Sequence, residues 1–132
     1  MVTIKQKAEA ELIDYIKTNK EMIAVKGGKY LMNYQCHSNA VHFAKVNKEE
    51  KLAMVLYIDG GIPILHFINL TEGKYIDNTL GTWAEYAEYY LLKHVDASEY
   101  AEIHKMFNET RKDLKKQLHW WTRLWLGEEN MC

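Results

Sequence analysis

Only two cysteines, Cys36 and Cys132, occur in the chain, too few for the disulfide framework of a small secreted domain. Cys132 is the last residue, so a bond to Cys36 would tie a chain end to a helix start and is not expected. A terminal cysteine also excludes a prenylation box, which needs one fourth from the end. No apolar run approaches the roughly eighteen residues that span a bilayer, and the N-terminus has no signal-peptide core. The expected location is therefore a reducing cytoplasm, where Asn69-Leu70-Thr71 and Asn108-Glu109-Thr110 carry no glycan. Charge of one sign is lacking as well. A net charge of -1 excludes a general attraction to nucleic acid or to an anionic membrane. Gly27-Gly28 and Gly60-Gly61 lack the pattern of a phosphate-binding loop. There is no internal repeat and no low-complexity segment.

What is present is apolar. Hydrophobic residues make up 48% of the 132, which excludes disorder as the overall state and suffices for one domain with its own core. Ile4, Ala8, Leu12, Tyr15 and Ile16 predict a first helix over Thr3 to Asn19. Met22 to Tyr30 reads as irregular, punctuated by Gly27-Gly28. Ala40, Val41, Phe43, Ala44 and Val46 predict a second helix from Cys36 to Val46, closed by the polar cluster Asn47-Lys48-Glu49-Glu50. The near-continuous apolar run from Leu52 to Ile58 predicts a central strand covered on both sides. Asp59-Gly60-Gly61 turns it, and Pro63, the only proline, opens the next strand, where a missing N–H is tolerated. A hairpin about Thr71-Glu72-Gly73 follows. From Thr82 onward helix is expected: Thr82 caps Trp83 to His94, with Glu85 at the capping-box position. A long last helix then starts at Asp96 or Ser98 and carries Ile103, Phe107, Thr110, Leu114, Leu118, Trp121 and Trp125. The expected fold is α+β: helices on a small antiparallel sheet, with a helical C-terminal part over 82–126, in a single domain over 1–132.

Three residues carry most of the chemistry. Cys36 opens the second helix, where unpaired N–H groups and the positive end of the dipole favour thiolate over thiol. His66, in the alternating run Ile64 to Leu70, supplies an imidazole that can take the thiol proton. Asp77 supplies a carboxylate that can hold that imidazole in one tautomer. Loop length decides whether Asp77 can serve. With an even number of residues looped out of the hairpin, His66 and Asp77 project from the same face; with three, Asn78 stands opposite His66 instead. Each residue has a structural reading too: a buried thiol, a hydrogen-bonded core histidine, a turn aspartate.

Zinc could draw on Cys36, His37, His42 and His66. However, His37 and His42 are five apart and share a helix face poorly, and neither CxxC nor HExxH occurs, so no metal is expected. His94, His104 and His119 read as helix-surface residues. Trp120, Trp121 and Trp125 read as core or interface anchors rather than as a membrane-surface helix or a base-stacking platform.

Cys36-His37-Ser38-Asn39-Ala40 at a helix start, His66-Phe67-Ile68-Asn69, and Gly73-Lys74-Tyr75-Ile76-Asp77-Asn78-Thr79 together resemble the papain-like superfamily, especially its transglutaminase-like branch. The resemblance covers roughly residues 30 to 80. It implies a papain-like core with Cys36 as nucleophile, His66 as general base and Asp77 as the group orienting it. It also implies an upstream Gln or Tyr at the oxyanion. Gln35 and Tyr30 are the candidates, with Asn33 and Tyr34 competing, beside the Cys36 N–H. The implied reaction is acyl transfer on a carboxamide of a protein or peptide substrate, through a thioester and without a cofactor. A different class of function remains open: a non-catalytic binding or inhibitor module, with the Trp-rich C-terminal helix gripping a protein partner or a second copy. Neither function requires nucleic acid or membrane.

Overall fold

The structure, a computed structural model, describes residues 3–28, 36–46 and 51–119. The first helix, α1 (Ile4–Asn19), starts where expected. Thr3 Oγ1 accepts from the Gln6 N–H and Gln6 Oε1 accepts from the Thr3 N–H, so a capping box satisfies two donors that the helix start leaves over. Ala8, Leu12 and Ile16, one turn apart, are buried.

The segment expected to be irregular instead forms two short strands, β1 (Glu21–Ile23) and β2 (Val25–Gly27). Helix α2 (Cys36–Val46) has the expected bounds. Three strands follow, β3 (Lys51–Asp59), β4 (Ile62–Thr71) and β5 (Lys74–Asp77). Gly60 and Gly61 join β3 to β4, and Glu72 and Gly73 join β4 to β5. Both loop residues have positive φ in each case (57° and 83°; 50° and 76°), as a two-residue hairpin turn requires.

The C-terminal part departs most from expectation. Where a helix over Trp83 to His94 was expected, a 3-10 turn (Gly81–Tyr86) leads into a strand, β6 (Glu88–Val95). Thr82 caps nothing; the turn begins after Leu80 and has no side-chain cap. The physical reason lies in Tyr89 and Tyr90. A short aromatic run fits either period, and pairing with β3 lets these two neighbours bury on opposite faces of the sheet, which one helix stripe cannot do. His94 therefore sits on a strand. Asp96 then caps a second 3-10 turn (Ala97–Glu102) through a capping box with Glu99, and α3 (Ile103–Lys115) follows with Ile103, Phe107 and Leu114 buried. Trp120, Trp121 and Trp125 lie outside the described residues.

The six strands form one sheet in the order β1-β6-β3-β4-β5-β2, so the fold is α+β. Neighbours are antiparallel except β2 and β5, which run parallel, a correction to the all-antiparallel expectation. One topological fact shapes the rest. β1 and β2 hold opposite edges of the sheet, yet only Ala24 separates them in the chain, so the sheet must curl until its edges meet. Tyr75 of β5 and His94 of β6 touch across the curl, their Oη and Nε2 atoms 2.9 Å apart.

The curl divides the core in two. Inside lie Ala53, Val55, Tyr57, Ile68 and Tyr89, plugged by Ala84 of the first 3-10 turn. Outside, Leu52, Met54, Leu56, Leu65, Phe67 and Tyr90 pack under α1, α2 and α3. β3, buried from Leu52 through Tyr57, is covered on both sides as predicted. Among the described residues no helix is long and apolar enough to cross a membrane.

Candidate active site

Alternation along β4 sets the site. Leu65 and Phe67 point to the outer layer, so His66 between them points into the curl. The two-residue turn at Glu72-Gly73 fixes the register, with Asn69 opposite Ile76 and Thr71 opposite Lys74. An even loop puts Asp77 on the face of His66, and the contact is made: His66 Nε2 lies 2.7 Å from Asp77 Oδ2, both residues 0% exposed. Asn78, which an odd loop would have brought opposite, instead donates to Asn69 Oδ1 at 2.9 Å.

The Asp77 carboxylate is fully occupied. Oδ1 accepts from the Thr79 and Leu80 N–H groups at 2.8 and 2.9 Å, which fixes the turn after β5. Oδ2 accepts from the Tyr89 hydroxyl at 2.7 Å as well as facing His66. Burial by itself pushes the Asp77 carboxyl up. The charge and hydrogen bond of His66, the Leu80 N–H and the Tyr89 hydroxyl outweigh it and hold the group below its ordinary range. Tyr89 moves the other way: burial and the adjacent Asp77 charge keep its hydroxyl protonated far above the ordinary tyrosine value.

An ionised carboxylate only accepts, so the network assigns the Nε2 proton to the bond with Asp77. The other ring nitrogen, Nδ1, is buried without a hydrogen-bond partner. Tyr57 flanks the ring edge-on, centroids 5.0 Å apart. Imidazole and carboxylate thus form a fully buried, oriented pair whose second ring nitrogen has no hydrogen-bond partner.

Cys36 occupies the first residue of α2, is fully buried, and belongs to the outer cluster with Leu65 and Phe67. It is also disulfide-bonded, against the expectation of a free thiol. Sulfur and imidazole thus start from opposite layers of the sheet. The first turn of α2 bridges toward the pair. Asn39, one turn on from Cys36, donates to Thr79 Oγ1 at 3.2 Å, and Thr79 is itself bonded to Asp77. Asn69 donates to the Ala40 carbonyl at 2.9 Å. Two buried amides therefore clip α2 to the hairpin that carries the pair.

The structure brings His66 and Asp77 together and sets Cys36 one layer away. Gln35 and Tyr30, with Asn33 and Tyr34, lie outside the described residues. Sequence reasoning missed Tyr89, Asn39, Asn69 and Thr79. Asn69 left a signal, a lone amide in an apolar strand; Tyr89 left none, since its strand was read as helix. No protein-family model, no curated protein and no solved structure matches the chain.

Proposed function

We propose that the chain is a cysteine-dependent acyl-transfer enzyme with a papain-like, transglutaminase-like site, acting on a carboxamide of a protein or peptide. One observation carries the reading. The buried His66–Asp77 pair at 2.7 Å leaves Nδ1 without a partner, as a general base awaiting a proton would be. The Asn39–Thr79 and Asn69–Ala40 bonds support it, because they hold the helix turn that begins at Cys36 against the hairpin bearing the pair.

Acyl transfer requires that an external thiol reduce the disulfide by exchange, and that the first turn of α2 then carry the Cys36 sulfur from the outer layer to His66 Nδ1, which takes its proton. The thiolate then adds to the carboxamide carbon, and the nitrogen departs with the proton from Nδ1, leaving a thioester. Water or an amine attacks the thioester, gives its proton to Nδ1 and releases the thiol. Asp77 keeps the ring in the Nε2–H tautomer throughout. The Cys36 N–H, with Gln35 or Tyr30, would serve the developing oxyanion.

A cysteine-reactive amide mimic tests this on reduced protein. Labelling at Cys36 should occur well below the free-thiol pKa of about 8.5 and disappear in His66→Ala. Equal labelling of the wild type and of His66→Ala would sink the proposal.

A second reading, a binding module, draws on one observation. Trp83 and Tyr86 on the first 3-10 turn are 62% and 80% exposed, with ring centroids 6.2 Å apart. It expects partner capture that Trp83→Ala abolishes and His66→Ala leaves intact.

A further inference from the structure

We infer that Tyr89 is a positioning residue for His66, acting by exhausting the acceptor capacity of Asp77. This deepens the proposed function and rests on His66 being the base. A carboxylate has two lone pairs on each oxygen. On Oδ1 both are taken, by the Thr79 and Leu80 N–H groups. On Oδ2 the Tyr89 hydroxyl takes one at 2.7 Å, which leaves a single direction from which Nε2–H can donate. That direction, together with the edge-on contact of Tyr57, allows the imidazole one plane and aims Nδ1 one way. The chain of contacts runs from β6 through β5 to β4, so three strands must be in register before the ring is set.

Without the hydroxyl, the second lone pair of Oδ2 opens. The ring then has two acceptor directions, and Nδ1 loses its fixed aim. The groups on Asp77 at Oδ1 are untouched, and phenylalanine keeps the apolar contact with Tyr57, whose ring centroid lies 5.6 Å from that of Tyr89.

The experiment combines ring NMR of His66 with Cys36 labelling on the full chain, reduced, as wild type, Tyr89→Phe and His66→Ala. The wild type should show one Nε2–H tautomer with a protected ring proton. In Tyr89→Phe that proton should move and exchange with solvent about tenfold faster, and Cys36 labelling should slow by a similar factor. A tyrosine that only filled space would change stability and leave the ring signal alone. An unchanged His66 Nε2–H resonance and exchange rate in Tyr89→Phe overturns the inference. If the ring signal responds while labelling proves indifferent to His66→Ala, Tyr89 still positions the ring and the acyl-transfer function is what fails. Should Tyr89→Phe not fold, the wild type suffices. Two donors meeting on one oxygen require a nuclear Overhauser contact between the Tyr89 hydroxyl proton and the His66 Nε2 proton, and its absence overturns the inference equally.

Discussion

Burial and partnership pull Asp77 in opposite directions, and partnership wins. Its folded pKa lies below the value near 4 of the unfolded chain, so the unfolded state binds the proton first as pH falls. The stability Asp77 contributes is complete above about pH 4 and is lost as pH drops through the folded value. Asp77→Ala should cost about 3–5 kcal/mol at pH 7, because it strands the buried imidazole and two turn N–H groups. Urea unfolding at pH 7 and at pH 3 should show that difference shrinking in acid. A cost independent of pH would mean that the carboxyl is not ionised in the folded protein. At this scale the sequence showed which residue types could meet, and alternation narrowed the partner of His66 to Asp77 or Asn78, with loop length left to decide. That Tyr89 would share their oxygen could not be worked out in advance, since no local pattern links positions 66, 77 and 89.

Elements were legible where one period dominated. α1 carries its cap and its stripe in a single local stretch, and the run from Leu52 to Tyr57 is too apolar for anything but a covered strand. β1 and β2 were not legible, because three-residue strands exist only through their partners. β2 shows how tight that partnership is. A Cβ at Gly27 would collide with the Gly81 backbone, and Gly27 pairs in register with Asp77. Gly27→Ala should therefore cost about 1–3 kcal/mol by overpacking, read as a lower urea midpoint. It should also loosen the turn that holds Asp77. The hairpin at Glu72 points the other way. Glu72 has a φ of 50°, a left-handed conformation better suited to asparagine, so Glu72→Asn should stabilise by roughly 0.5–1 kcal/mol with the site unchanged. A destabilised Glu72→Asn would show that the glutamate side chain contributes more than its backbone costs.

The whole molecule is a curled sheet with a polar pair inside and helices outside, and its stability should be graded accordingly. β3 and β4 are covered on both faces and flanked by strands, whereas β1 and β2 close the curl with three residues each. Native-state hydrogen exchange should give the slowest amides in β3 and β4 and release those of β1 and β2 first. Slow exchange at Glu21–Ile23 equal to that of β3 would show that closure is part of the global unit. The local patterns of the chain were enough to determine α1, α2 and the paired strands β3 to β5, and they left Asp77 and Asn78 as the two candidates for the face of His66, between which the observed register chose. Each of those depends on neighbours within a few residues or on one short turn. Only the tertiary structure decided that Tyr89 lies on a strand, that the edges of the sheet meet, and that Cys36 begins in the layer opposite His66 with its sulfur already bonded. Those outcomes depend on which distant segment covers which face, and packing between segments far apart in the chain leaves no mark in either segment alone.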